Sequence, residues 1–189
     1  VSDAATVAQF NTINAATTSD IVLTGGLTDE AVNFAAADGT ATTGLTNSTD
    51  QDPNVAITVS GGTAPNVAQL NTLGGATTGV ITASITGNIS DLDDLTTAST
   101  DVITVTVNDA ANVSQFNTIN AATTSDIVLT GGVSDTAAAY AATDGTTTAG
   151  LTAIAAQDAN AVITVSDAAT VAQFNTINAA TTSDIVLTG

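Results

Sequence analysis

The sequence of 189 residues contains no Lys, Arg, His, Cys, Met or Trp, whereas 18 residues are Asp or Glu. The formal net charge is therefore −18 at pH 7. Binding to nucleic acid or to anionic lipid depends on Lys and Arg contacts to phosphate, so the composition excludes both kinds of partner. No apolar run approaches the roughly 18 residues of a membrane span, which predicts no membrane insertion.

The missing residue types also remove most catalytic chemistry. Nucleophilic catalysis needs His, Cys or Lys to activate or to supply the nucleophile. Carboxylates remain, but the Asp-Gly-Thr segments at residues 38–40 and 144–146 reverse the Asp-Thr-Gly order of aspartic proteases. We therefore predict no enzyme, with an acidic hydrolase as the third functional option. The lack of Cys and Met suits an exposed, long-lived protein, which predicts an extracellular or cell-surface location.

The sequence repeats itself. Residues 1–25 recur without a change as residues 165–189, and residues 107–166 align without gaps on residues 1–60. A divergent copy starts at Val59. The predicted organisation is repeat unit 1 at 1–58, a shorter unit 2 at 59–106, unit 3 at 107–164 and the start of the next super-repeat at 165–189. We expect these residues to be a portion of a longer array.

The fold class follows from the spacing of β-branched runs. Successive strand starts lie 22 to 36 residues apart, close to the length that a crossover between parallel strands requires. This spacing predicts an α/β fold, a right-handed solenoid-like repeat with parallel strands and short helices. Abundant Thr and Asn favour the alternative, an all-β solenoid. The seven predicted strand starts are Ile21, Ile57, Ile81, Ile103, Ile127, Ile163 and Ile185.

Local signals place the elements of one unit. Ser2 or Asp3 is expected to cap a helix over the QFNTIN motif, and residues 20–26 are expected to form a second strand. Residues 27–39 should then form a second helix, capped by Thr28 and ended by Gly39. One Asn per copy is expected to lie buried at a corner and to bind backbone groups. These residues are Asn11, Asn71, Asn117 and Asn175.

Clustered carboxylates suggest calcium, because this cation prefers six to eight oxygen ligands. Asp50 and Asp52 alternate in a predicted linker at residues 47–54, and Asp91, Asp93 and Asp94 lie at a predicted helix start. We predict calcium at these five residues. The alternatives are a solvated turn for the first pair and charge complementary to a helix N-terminus for the second cluster. Further Asp residues recur in each copy and are expected to form like-charged rows: Asp3, Asp109 and Asp167, and Asp20, Asp126 and Asp184.

Two segments of the sequence resemble the repeats of giant extracellular proteins of cyanobacteria and other aquatic bacteria, of the surface-layer, adhesin and filament types. These segments are ITVSDAATVAQFNTINAATTSDIVLTG and VSDTAAAYAATDG. The resemblance implies a location outside the cell and a mechanical role. We predict a structural repeat of a secreted cell-surface or filament protein, a stiff acidic array or polymer whose partner is itself. The alternative is a calcium-dependent adhesin stalk, for which surface glycans are the expected partner.

Overall fold

The computed structural model describes all residues from Val1 to Gly189 and has a mixed α/β fold with parallel sheets and short helices. The predicted α/β class is confirmed, and the all-β alternative is wrong. The helices are α1 (Val7–Ala16), α2 (Ala31–Phe34), α3 (Thr43–Gln51), α4 (Val67–Ala76), α5 (Ile89–Leu92), α6 (Val113–Ala121), α7 (Ala137–Tyr140), α8 (Ala149–Gln157) and α9 (Val171–Ala180). The strands are β1 (Leu27–Asp29), β2 (Ile57–Val59), β3 (Ile81–Gly87), β4 (Val102–Val107), β5 (Ile127–Leu129), β6 (Val133–Asp135), β7 (Ile163–Val165) and β8 (Ile185–Leu187).

The strands pair in parallel with their neighbours in the chain. The orders are β1-β2-β3-β4-β5 in one sheet and β6-β7-β8 in the other. Ile57 of β2 pairs with Leu27 on one side and with Ile81 on the other, and Ile163 of β7 is likewise paired on both sides. Neighbouring strands in each sheet are joined by connections that contain at least one helix, as parallel pairing requires.

The chain divides into two compact units. The first comprises Val1–Ile85, Leu95–Thr104 and Ala122–Ser125, and the second comprises Thr86–Asp94, Val105–Ala121 and Asp126–Gly189. Each unit has its own apolar core. Fully buried aromatic rings contribute the largest side chains, Phe10 and Phe34 in the first unit and Phe116 and Tyr140 in the second.

The same sequence pattern produces the same elements twice. The series α1, β1, α2, α3 and β2 recurs 106 residues later as α6, β6, α7, α8 and β7. We call residues 1–25, 107–131 and 165–189 the A segments, and residues 26–58 and 132–164 the B segments. An A segment contributes one long helix and the run Ile-Val-Leu, and a B segment contributes a short strand and two helices.

Four local predictions are wrong. The predicted helix at residues 27–39 is β1 followed by the single turn α2, because Thr28 continues a strand and the chain then reverses at Gly39, which has a positive φ of 85°. Helix α1 is capped by Thr6, not by Ser2 or Asp3, because Thr6 forms a capping box with Gln9. The second strand at residues 20–26 is absent in the first copy, although its equivalents are β5 and β8. The predicted linker at 47–54 is helical up to Gln51.

No helix in the structure combines the length and the apolar character needed to cross a bilayer.

Candidate functional site

The most regular polar feature of the structure is the joint between an A segment and the B segment that follows it. In the first copy the backbone N–H of Leu23 donates to Asp52 Oδ2 (2.7 Å), and that of Ile21 donates to Gln51 Oε1 (3.0 Å). Gln51 is the last residue of α3, and Asp52 follows it. The side chains of these two residues accept the N–H groups that a neighbouring strand would otherwise bind. The second copy repeats both bonds, from Leu129 to Asp158 (2.9 Å) and from Ile127 to Gln157 (3.1 Å).

A second carboxylate of the B segment binds the helix of the A segment. Asp29 Oδ2 accepts the N–H of Val7 (3.0 Å), the first residue of α1, and its Oδ1 accepts the N–H of Glu30 (2.9 Å). The first N–H groups of a helix have no partner within the helix, and the positive end of its dipole favours a carboxylate. In the second copy Asp135 accepts from Val113 (3.1 Å) and Thr136 (2.8 Å) in the same way.

A close apolar contact completes the joint. Gly44 of α3 lies so near the buried side chain of Val7 that a Cβ at this glycine would overlap Val7 Cγ1. Gly150 of α8 lies against Val113 in the same manner. A glycine is therefore required in the B segment wherever the valine of the A segment packs.

The opposite face of an A segment, and the equivalent face of the divergent copy that starts at Val59, binds the structure that precedes it in the chain. Thr77 Oγ1 donates to the carbonyl of Val55 (2.7 Å), and the N–H of Thr78 donates to the carbonyl of Pro53 (2.9 Å). Thr123 and Thr181 repeat the hydroxyl bond, to Ile103 (2.8 Å) and to Ala161 (2.7 Å) respectively. The Thr-Thr pair that follows α4, α6 and α9 is therefore a corner element, which the sequence reasoning missed although Ala-Thr-Thr occurs in every copy.

The corner role predicted for the Asn residues is wrong at three of four positions. Asn11, Asn117 and Asn175 are exposed and therefore do not form buried corners. Asn71 is the exception, since its Oδ1 accepts the N–H of Thr96 (2.8 Å).

Glutamine side chains add to the preceding face. Gln69 Nε2 donates to the carbonyl of Ala35 (2.8 Å), while its Oε1 accepts the N–H of Asn66 in a capping box. Gln173 donates to the carbonyl of Ala141 (2.8 Å) in the same way. Both glutamines are buried, so these bonds fix the start of each helix on the preceding turn.

The five residues predicted to bind calcium lie in different surroundings. Asp50 is exposed on α3, and Asp52 is buried and engaged by Leu23. Asp91 lies in the first turn of the single-turn helix α5 and is exposed. Asp93 follows this helix, and its Oδ2 accepts a hydrogen bond from Gln115 Nε2 (2.9 Å). Asp94 comes next in the chain and is exposed. No group of three or more acidic side chains in the structure is arranged to hold a metal ion.

The predicted Asp rows are partly engaged by backbone amides. Asp109 Oδ1 accepts the N–H of Ile89 and Asp167 Oδ1 accepts the N–H of Ala137, both at 2.6 Å. Each of these donors is the first residue of a short helix. Because the chain has no Lys or Arg, many of its carboxylates accept hydrogen bonds from backbone N–H groups, where other proteins use cationic side chains.

Three side chains have shifted pKa values. The N–H of Thr40 donates to Asp38 Oδ1 (2.9 Å) and holds the pKa of this carboxyl below its usual value of 3.8, and Thr146 does the same for Asp144. Burial raises the pKa of Tyr140, whose hydroxyl donates to the carbonyl of Thr164 (3.2 Å). The two carboxylates accept hydrogen bonds within their own turns, and the Tyr140 side chain is part of the buried core. All three groups therefore have structural partners.

No protein-family model matches this chain, and no similar protein or solved structure was found. Inference about its function therefore rests on the geometry of its own joints.

Proposed function

We propose that this chain is a structural repeat of a secreted cell-surface or extracellular filament protein, which acts as a stiff acidic array. The observation that supports this function best is that the same joint occurs twice, with the same five contributions. Each joint contains two Asp acceptors, one Gln acceptor, one Gly and one Val. A contact that is reproduced at each repeat allows an array to be extended by adding copies.

The distribution of polar groups fits this role. The buried side-chain oxygen and nitrogen atoms all have hydrogen-bond partners, and those partners include many backbone groups at joints and corners. The polar chemistry of the chain is thus directed at holding segments together. The acidic exterior, with a net charge of −18, would keep such arrays soluble and apart from anionic surfaces.

The experiment is a series of tandem proteins with one, two and three copies of residues 1–164, each followed by residues 165–189. If the copies form one solenoid-like array, the midpoint of urea unfolding should rise with copy number, because each added joint couples neighbours. Particle length in electron micrographs should also increase by a constant step per copy. An unfolding midpoint that does not change with copy number would contradict the proposal. Micrographs in which the copies are separate particles at variable distances would contradict it as well.

A matched control replaces Asp52 and Asp158 by Ala in every copy. These changes remove one acceptor from each A–B joint and leave the apolar sequence pattern unchanged. The dependence of the midpoint on copy number should weaken in the control. The adhesin-stalk alternative makes the same prediction for stability, but it also requires that arrays remain monomeric and bind glycans only through an attached tip.

A further inference from the structure

The turn that follows the single-turn helix of each B segment is the place where the next long helix docks. In the first copy, three carbonyls of this turn accept hydrogen bonds from side chains of α4 and its cap. Gln69 Nε2 donates to Ala35 (2.8 Å), Asn66 Nδ2 donates to Ala37 (2.8 Å) and Thr72 Oγ1 donates to Gly39. The donors are three residues apart, so they lie along one side of the helix and hold the turn against it.

The second copy has the same docking contact. Gln173 Nε2 donates to Ala141 (2.8 Å), Thr170 Oγ1 donates to Thr143 (3.2 Å) and Thr176 Oγ1 donates to Gly145 (2.6 Å). Each turn lies in the same compact unit as the helix that is docked on it. The chain therefore contains two equivalent contacts, and each can serve as the reference for the other.

Both turns contain an Asp-Gly bond, at Asp38-Gly39 and at Asp144-Gly145. Asp followed by glycine is especially prone to form isoaspartate, because glycine has no side chain to hinder ring closure. The two glycines have φ values of 85° and 90°, a left-handed backbone that favours glycine, so the fold itself retains this reactive pair. Both Asp side chains are exposed to water.

The reaction needs only water. The nitrogen of Gly39 attacks Cγ of the protonated Asp38 carboxyl, a C–N bond forms, and one carboxyl oxygen leaves as water with the carboxyl and amide protons. The product is a five-membered succinimide, which water opens again. When water cleaves the bond between the glycine nitrogen and the backbone carbonyl carbon of Asp38, the chain continues through the side-chain carbon, and the backbone is one carbon longer.

The docked turn opposes this reaction at each reacting group. The N–H of Thr40 donates to Asp38 Oδ1 (2.9 Å), which favours the carboxylate over the protonated form that loses water. The N–H of Gly39 donates to the carbonyl of Ala36 (2.9 Å), and Thr72 holds the carbonyl of the same glycine. Ring closure must break these bonds, so it requires that the turn leave its helix.

We propose that Asp38 and Asp144 are sites of isoaspartate formation, and that docking of the following long helix controls the reaction. A docked turn keeps its Asp. A released turn forms isoaspartate, and the added backbone carbon displaces the carbonyls that the helix binds, so the modification is a lasting record of an opened contact. This inference is independent of the proposed array function, because each turn and its helix lie within one compact unit.

The experiment incubates the full chain at neutral pH, either folded or in urea. Both samples are then digested under the same denaturing conditions with the protease Asp-N, which cleaves before Asp but not before isoaspartate. Mass spectrometry gives the uncleaved fraction at Asp38 and at Asp144 separately. We expect conversion at both sites in urea and a rate slower by roughly tenfold or more in the folded chain, where only local opening produces the reactive turn.

Thr72→Val is the test variant, because it removes the hydroxyl that holds Gly39 and keeps the volume of the side chain. It should raise the rate at Asp38 by roughly fivefold, the change in the open population expected for the loss of one hydrogen bond, and leave Asp144 unchanged. Thr176→Val should have the reverse effect.

Thr118→Val is the matched control. Thr118 has the same place in the QFNT motif of α6, but its hydroxyl donates to the carbonyl of Ser114 within its own helix (3.2 Å). This variant should change neither rate. Asp52→Ala is a second control, because it weakens the first unit at a bond outside the turn. It should leave the rate at Asp38 unchanged while circular dichroism shows a folded protein.

Three results would overturn the proposal. The first is an absence of isoaspartate at these sites in urea, and the second is an equal rate in the folded and unfolded chains. The third is a rise at Asp38 that is as large in Asp52→Ala as in Thr72→Val, because the reaction would then depend on unfolding of the whole unit rather than on release of the turn.

Discussion

Asp52 Oδ2 lies 2.7 Å from the backbone nitrogen of Leu23, across a separation of 29 residues in sequence. The equivalent bond joins Leu129 to Asp158 at 2.9 Å. A carboxylate at the end of one helix therefore closes the edge of an extended run, where a sheet would otherwise expose its unpaired N–H groups. The chain contains this arrangement twice, so some of its many Asp residues stabilise the fold.

Replacement of Asp52 by Ala should destabilise the first unit by about 1–3 kcal/mol, because the N–H of Leu23 loses its acceptor in a buried position. Asp52→Asn should cost less, because an amide oxygen still accepts the bond without the charge. The free energy of unfolding from urea titration checks both values. Asp50→Ala, two residues earlier in the exposed part of α3, is the control and should stay within about 0.5 kcal/mol of the wild type.

Gly44→Ala tests the apolar part of the joint. The added methyl group would overlap Val7 Cγ1, which forces a shift in packing and should cost about 1–3 kcal/mol. Val7→Ala should relieve the overlap, so the double variant should be more stable than the sum of the single effects predicts. Gly75→Ala in α4 is the control, since no atom lies within 4 Å of its added Cβ. It should stabilise the protein by about 0.5–1 kcal/mol through helix propensity.

The sequence predicts the strands better than the joints. Six of the seven predicted starts lie in strands, because runs such as Ile57-Thr58-Val59 are β-branched and bounded by turn residues. The strands β1 and β6 are not predicted, since three residues that contain Thr-Asp or Ser-Asp resemble a helix cap more than a strand. Their strand conformation is fixed by pairing with β2 and β7, which is a tertiary effect that local propensity does not contain.

The candidate site is harder to predict for a different reason. Gln51 and Asp52 follow a polar segment that has no apolar periodicity, so the pattern predicts a solvated linker there. Their partners are backbone amides of Ile21 and Leu23, and a backbone amide has no sequence signature. The repetition of Gln51-Asp52 as Gln157-Asp158 is the signal that could have identified the joint. These two polar residues are kept in both copies, although most of the residues just before them differ.

Tyr140 is the only tyrosine in a chain without Trp, so its absorbance reports one core position. Burial raises its pKa, which means that the folded state favours the neutral phenol. This contribution to stability is complete below the usual tyrosine pKa of 10.0 and is lost as the pH rises above that value. We expect phenolate absorbance to appear together with loss of circular dichroism in an alkaline titration, rather than before it.

Tyr140→Phe is the matched variant for this titration, because the equivalent residue in the first copy is Phe34 and is also fully buried. The variant should lose the hydrogen bond to Thr164 and be slightly less stable at neutral pH. Its disadvantage should shrink above pH 10, where the wild type must keep a phenol protonated. Phenolate formation in a fully folded wild type would contradict the burial of this ring.

The response to cations separates general screening from the calcium sites predicted at Asp50, Asp52, Asp91, Asp93 and Asp94. With a net charge of −18 and no cationic side chain, the protein should gain stability in sodium chloride, because salt screens repulsion among exposed carboxylates.

Specific calcium sites require a gain in stability beyond this screening effect. At equal ionic strength, and after treatment with EDTA, calcium should raise the melting temperature further than magnesium, because calcium accepts larger and less regular sets of oxygen ligands. The triple variant Asp91→Asn, Asp93→Asn, Asp94→Asn should remove the difference for the second cluster, whereas Asp20→Asn should not. An equal rise with both cations would contradict the calcium prediction and would mean that the carboxylates outside the joints act only as a screened surface.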